Sequence, residues 1–411
     1  MQDDIKILRK LAYKYAEIAN SPENAQNIEL HKAVNDLRMI RPVVLIDELP
    51  WNEMNIDDEL TLVCSDPVLR NLEWTFRANI YKHKHMPADM VVPPFIGVPK
   101  IIHNTGIGVK IEEDILKTDQ DNAIVSHKYK DQLATEEDLE KLHTPVLTYD
   151  KEATLKRFNF IGEILGDILP VKLVGVTYFY NGTWDQIAMF RGVTNLLTDL
   201  VERPEFTHRM VRKFTDISLS YLEQWEALDL LDTSGFNLHC TPIHTNDLPR
   251  KDFDGERVTR KDVWGRGMAQ IFASVSKKMH YDFDIQYMIE TLGQCGLVYY
   301  GCCEPLDKKI DIVEKIPNLR KIGVTPWADV NVAAEAINTK YVVSSKPNPS
   351  AVAVPMLDKD TLRKEISTIL DACKRNNCSV DITLKDISTC CKRPQNIFEW
   401  EQTVMEMVKN Y

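Results

Sequence analysis

The sequence predicts an α/β protein, a single (β/α)8 TIM barrel with an N-terminal helical extension. Three observations point there. From about residue 150 onward, six short apolar segments are each followed by an amphipathic helical stretch, a rhythm that requires parallel crossovers rather than hairpins. A further apolar run at 42–49, with one strand expected within 90–150, brings the count to eight. No Gly-rich nucleotide turn supports the alternative, a doubly wound open sheet; GIGV at 106–109 is too fragmentary. The expected division is 1–40 for the helical extension and 41–411 for the barrel.

Two helices open the chain, roughly 3–19 and 24–38, the first with Ile5, Leu8, Leu11, Ala12 and Tyr15 at helical spacing. PVVLIDEL (42–49) reads as a buried strand, and a long helix follows from about Pro67 to His85. Residues 90–150 mix extended pieces with the charged stretch Thr135–Leu142. A helix near 151–166 leads into VKLVGVTYF (171–179), then amphipathic helices run to about 229. SGFNLHC (234–240) reads as a strand and 262–293 as one long helix opened by Trp264 and Gln270. GLVYYG (296–301), LRKIGV (319–324), YVVSS (341–345) and SVDITL (379–384) complete the strands, each with its helix behind it.

The chain has 411 residues, 44% of them hydrophobic, and a net charge of −11. That composition excludes disordered and collagen-like classes, and an acidic balance without basic runs argues against nucleic acid as a partner. No apolar run reaches membrane-spanning length, and the first twenty residues lack a signal-peptide core. A cytoplasmic protein is expected, and the sequence leaves a homo-oligomer open. Nine cysteines, an odd number, do not read as a disulfide framework; two adjacent pairs stand out, Cys302-Cys303 and Cys390-Cys391.

In a barrel, chemistry gathers where strands end. That rule selects His239, Cys240, Thr241 and His244 after 234–240; Cys302, Cys303 and Glu304 after 296–301; and Thr325, Pro326 and Trp327 after 319–324. It also selects Ser345, Lys346 and Asn348 after 341–345, and Lys385 and Asp386 after 379–384. Cys240, Cys302 and Cys303 form the sharpest set, because three thiolates hold Zn²⁺ tetrahedrally and leave a fourth position open. His239 or His244 is the alternative nitrogen ligand. The other cysteines read as small buried hydrophobes. Glu48 and Glu53, flanking Trp51, are rim candidates weighed against solvated loop carboxylates. His83-Lys84-His85 reads as a helix-end cap, and Asn181-Gly182-Thr183 as a turn rather than a glycosylation site. P-loop, nucleophile-elbow and HExxH motifs are absent, as is a corrinoid-ligating Asp-x-His-x-x-Gly.

The block YGCCEPLD (300–307), the following IPNLRKIGVTPWADV, RPVVLIDELPWNEM (41–54) and TNDLP (245–249) resemble the uroporphyrinogen decarboxylase superfamily, in particular its corrinoid-associated methyltransferase-like branch. The resemblance implies a (β/α)8 barrel with zinc near its C-terminal rim, held by Cys240, Cys302 and Cys303 with His239. In that branch a His-x-Cys pair ligates, whereas here His239 and Cys240 are adjacent. It implies methyl transfer between a cobamide, supplied in trans by a corrinoid-binding protein, and a small-molecule donor or thiol acceptor. Glu304 and Glu48 would act as orienting or proton-accepting groups, and Tyr299, Trp327 and Lys346 would bind substrate. The Arg-rich motif of true uroporphyrinogen decarboxylases is missing, with Arg38 and Arg41 isolated. Two alternatives stay open: a metal-independent decarboxylase binding an anion through Lys346, Arg266 and Lys385, and a non-catalytic corrinoid- or tetrapyrrole-binding module.

Overall fold

The computed structural model describes residues 1–411 except 119, 121 and 123. Its strands are β1 (Val43–Ile46), β2 (Ile96–Pro99), β3 (Ile102–Asn104), β4 (Glu113–Leu116), β5 (Ser126–Tyr129), β6 (Leu147–Tyr149), β7 (Val171–Val174), β8 (Tyr178–Asn181), β9 (Trp264–Gly267), β10 (Leu297–Tyr300), β11 (Leu319–Val324), β12 (Val342–Ser345) and β13 (Ser379–Leu384). Seven of them make one sheet in the order β1-β13-β12-β11-β10-β9-β8, with every pairing parallel. All C-terminal strand ends therefore share one edge. Among the described residues no helix is long and apolar enough to cross a membrane.

The strand expected within 90–150 is β2, which pairs in parallel with β7; β7 runs on almost directly into β8. The smaller pairs, β3 with β6 and β4 with β5, are antiparallel. This mixed α/β architecture is compatible with a TIM barrel, but strand pairing among the described residues does not close the sheet, which ends at β1 and β8. Asp89 lies against β1 instead: its N–H donates to Val44 O (3.0 Å) and its carboxylate accepts from Val44 N (2.8 Å).

Two expectations are corrected. SGFNLHC (234–240) is not a strand. His239 and Cys240 have φ of 31° and 58°, which a strand cannot accommodate, and Leu238 N–H donates to Thr241 O across the turn (3.0 Å). The long helix expected at 262–293 begins instead as β9, followed by a short 3-10 helix at Gln270–Ser274, with α-helix only from Lys277 onward. Two glycines hide that strand by weakening its β signal. Both admit close packing of helix Gln286–Leu292: a Cβ on Gly265 would meet Cys295 Sγ at 3.0 Å, and one on Gly267 would meet Leu292 Cδ1 at 2.6 Å.

Strands β1, β9, β10, β12 and β13 are buried at every residue, as expected when both faces of a parallel sheet are covered. One face supplies Val44, Val298, Tyr300, Ile322, Val343, Val380 and Ile382 to a large apolar core beneath the helices. Alternation along each strand then sends Arg266, Tyr299, Lys321, Ser344 and Asp381 to the opposite face. Helix Pro22–Asn35 packs Leu30 and Val34 on Val43, Leu45 and Val342, so the N-terminal segment shares the core of the sheet.

Candidate functional site

The parallel order brings the ends of β1, β10, β12 and β13 together. Gly301, at φ 112°, turns the chain out of β10 into Cys302 and Cys303; a Cβ there would press on Leu306 Cδ1 at 2.8 Å and Gly323 N at 3.1 Å. The two thiols lie 3.7 Å apart. Lys385, following β13, donates its ammonium to Cys302 Sγ (3.6 Å) and Cys303 Sγ (3.8 Å) and is also paired with Asp386 and Glu48. Cys303 Sγ lies 3.5 Å from Asp386 Oδ2, and Asp386 N–H donates to Glu48 Oε2 at 3.1 Å. His239 Nε2 lies 3.2 Å from Glu48 Oε1.

Backbone strain concentrates here. Glu48, His239, Cys240 and Asp386 all have positive φ, between 31° and 58°. Non-glycine residues adopt that region at a cost of order 1–3 kcal/mol each and persist only where the surroundings hold them. What holds His239 and Cys240 is a buried network on the polar face of the sheet. Lys321 Nζ donates to Pro242 O (2.7 Å), Thr241 Oγ1 (2.9 Å) and Asp381 Oδ2 (3.0 Å). Lys346 Nζ donates to Cys240 O (2.7 Å) and Ser344 Oγ (3.0 Å), and Ser344 donates to Asp381 Oδ1 (2.7 Å).

The electrostatics separate the thiols. Cys302 is held well below the usual thiol range: Cys303 donates to it, and His239, Lys385 and Arg266 add to the effect. Its partner Cys303 is raised because it keeps the shared proton. Burial pushes the Cys240 thiol up to about 12. Burial disfavours the Lys385 ammonium, yet the Cys240 and Cys302 sulfurs and Asp386 keep it above the ordinary lysine range. Burial, with Asp386 beside it, raises Glu48.

A cavity of about 210 Å³ opens over the thiols, lined by Cys302, Cys303, Trp327, Lys346, Lys385 and Asp386, with Pro326, Pro347 and Pro349. Trp327 is 69% exposed at this wall. The sequence-selected residues thus divide. Cys302, Cys303, Trp327 and Lys346 line the cavity, and Glu48 and His239 pair beside it. Cys240 is buried behind it, its carbonyl held by Lys346. Glu304 is wholly buried beneath the loop; it accepts from Ala269 N–H and Cys302 N–H, both at 3.0 Å, and burial raises its carboxyl to about 7. Tyr299 is also wholly buried, below the cavity rather than on its wall.

Glu53 caps a turn instead, accepting from Thr389 Oγ1, Cys390 N and Lys392 N. His244 packs 5.9 Å from His31, away from the thiols. Lys385 and Asp386, which the strand-end rule selects, prove to be the closest charged partners of the cysteine pair. Arg266, named from the sequence as an anion-binding residue of the decarboxylase alternative, sits not in a helix but in a strand the glycines disguise.

Among the described residues, no group of three His, Cys, Asp or Glu side chains is gathered closely enough to hold a metal ion. The cysteine pair itself has zinc-like spacing: two thiolates each about 2.3 Å from a tetrahedral zinc stand about 3.8 Å apart. His239 and Cys240 are the adjacent donors of suitable chemistry. Compared with known proteins, the chain matches no family model and no curated sequence.

Proposed function

We propose that this protein is a zinc-dependent methyltransferase, exchanging a methyl group between a cobamide carried by a separate corrinoid-binding protein and a small-molecule donor or thiol acceptor. The observation that carries the zinc-thiolate part is the 3.7 Å separation of the Cys302 and Cys303 thiols at the floor of a cavity. The corrinoid part rests on the resemblance of the YGCCEPLD block. Cys302 and Cys303 would hold the metal, with Cys240 and His239 as further donors, and zinc would supply Lewis-acid polarisation or thiol activation.

The chain's own residues have definable tasks. Lys385 balances the negative charge on the sulfurs, and Asp386 fixes the ammonium against them. Glu48 orients the His239 imidazole through their contact. Glu304 clamps the Cys302 amide and so fixes the loop that presents both thiols. Trp327 and the prolines give the cavity an apolar wall that limits water near the reacting groups.

Metal analysis of purified, zinc-loaded protein tests the reading. About one zinc per chain is expected, lost in Cys303→Ala, as is methyl transfer from methylcobalamin to a small thiol followed by the cobalamin spectrum. Protein that retains no zinc after loading would overturn the zinc-dependent reading. A second reading, a metal-independent decarboxylase, is favoured by Lys346 and Lys385 on the cavity wall with Arg266 buried on the same face of the sheet; it requires CO2 release from a carboxylic acid by metal-stripped protein.

A further inference from the structure

Arg266 lies on the polar face of the sheet, on β9 beside the edge strand β8, and no charged group pairs with it. It is 0% exposed, yet Nε, Nη1 and Nη2 all lack a hydrogen-bond acceptor. Among the described residues no carboxylate lies within 4 Å of it, and nearby Asp185 is engaged by the Gln270 amide at 2.8 Å. Strand register explains the neighbours it does have. Tyr180 and Tyr299 are its partners on β8 and β10, and their ring centroids lie 5.2 Å and 5.8 Å from the guanidinium carbon. Aromatic faces attract a cation but accept none of its five N–H groups in line. The hydroxyl of Tyr299, itself 0% exposed, is also without a partner.

An unpaired buried charge costs several kcal/mol even after local relaxation. The other cations on this face each have a carboxylate partner: Lys321 and Lys346 share Asp381, and Lys385 pairs with Asp386. A fold that pairs these three lysines and leaves Arg266 without an acceptor, with the buried Tyr299 hydroxyl also unsatisfied, has an acceptor missing.

We infer that Arg266 and Tyr299 form the recognition site for a carboxylate on the substrate, so that the molecule acted on is a small carboxylic acid. A planar carboxylate accepts two parallel N–H bonds from a guanidinium and has lone pairs left for a hydroxyl. Cys302 follows Tyr299 by three residues, at most roughly 10 Å of extended chain, so an acid anchored at Arg266 would present an atom only a few bonds away to the cysteine pair. Tyr180, against the guanidinium and 38% exposed, is the side chain that would have to swing aside to admit it. The assignment of the reacting end rests on the methyl-transfer reading; the carboxylate site does not.

The experiment uses the full chain with acetate and benzoate as probes, and acetamide and benzamide as neutral isosteres, at constant ionic strength. Calorimetry and melting temperature are the readouts. Saturable binding of at least one carboxylate is expected, with at least tenfold weaker binding of its amide. In Arg266→Met, carboxylate binding should fall at least tenfold, while the ligand-free variant melts at or above the parent because a bare buried charge has been removed. Arg266→Lys should retain weakened binding. Equal binding of acid and amide, no binding of either acid, unchanged binding by Arg266→Met, or a ligand-free Arg266→Met that melts well below the parent would overturn the inference. Tighter Arg266-dependent binding of inorganic phosphate would overturn the carboxylate class. Zinc content should be untouched by Arg266→Met and lost in Cys303→Ala, so failure of this inference and failure of the methyl-transfer reading are told apart.

Discussion

Asp381 shows how much one side chain can hold in place. It is wholly buried, and it is shared as an ion-pair partner by Lys321 at 3.0 Å and Lys346 at 3.8 Å, the two lysines that pin the turn carrying His239 and Cys240. Asp381→Asn is expected to destabilise the protein by about 3–5 kcal/mol in urea unfolding, the usual effect of leaving a buried charge unpaired. Replacing the two together, Lys321→Met with Asp381→Leu, should recover only part of that loss, because Lys346 then stays buried without its carboxylate. A second residue-scale expectation concerns His31 and His244. Burial lowers each from 6.5 to about 4, His31 with a further contribution from His244 and His244 with one from Lys32. Because the folded pKa lies below the unfolded one, the unfolded chain binds more protons between those values. The stability these residues contribute is therefore complete above about pH 6.5 and is lost as pH falls towards about 4. The slope approaches 1.4 kcal/mol per pH unit for each histidine. His31→Gln, which keeps a donor for the Asp89 carbonyl, should flatten the urea-midpoint profile in that window.

At the scale of elements, legibility followed the strength of the apolar pattern. β11 and β13 match LRKIGV and SVDITL, because runs of β-branched and apolar residues after a helix admit little else. β9 was illegible because Gly265 and Gly267 serve the packing of a later helix, a requirement set far away in sequence. SGFNLHC carries an apolar strand pattern, but Lys321 and Lys346 capture the carbonyls of Cys240 and Pro242 and hold the segment as a turn. At the site, the cysteine pair and Lys385 could be found from strand ends alone. That Glu304 would face inward and clamp amides could not, since a carboxylate's direction depends on which N–H groups the fold leaves unpaired. Gly301 gives the element-scale test. Gly301→Ala should cost about 1–3 kcal/mol, from its φ and from the clash with Leu306, and should weaken zinc binding more than a surface Gly106→Ala change that meets open space.

Across the whole molecule, the long parallel sheet has two edges, and the gap beside β1 is bridged by Asp89. Arg41 grips that carboxylate with both nitrogens, at 2.6 Å and 2.9 Å, Val44 bonds it on both sides of its backbone, and His31 reaches its carbonyl at 2.7 Å. One residue thus ties together the second helix, the first strand and the approach to β2. Asp89→Ala should lower stability by about 3 kcal/mol and speed amide exchange at Val43–Ile46 before it does so in β10–β12. Such a joint behaves as a clasp on the edge of the sheet. Within the seven-stranded sheet each strand is fastened to the next by a continuous ladder, whereas this edge is fastened at a point, so it sets where the edge first loosens. Time-resolved proteolysis under mild denaturant should find its earliest cuts in the chain between Asp89 and Ile96, with the cysteine-bearing rim still intact.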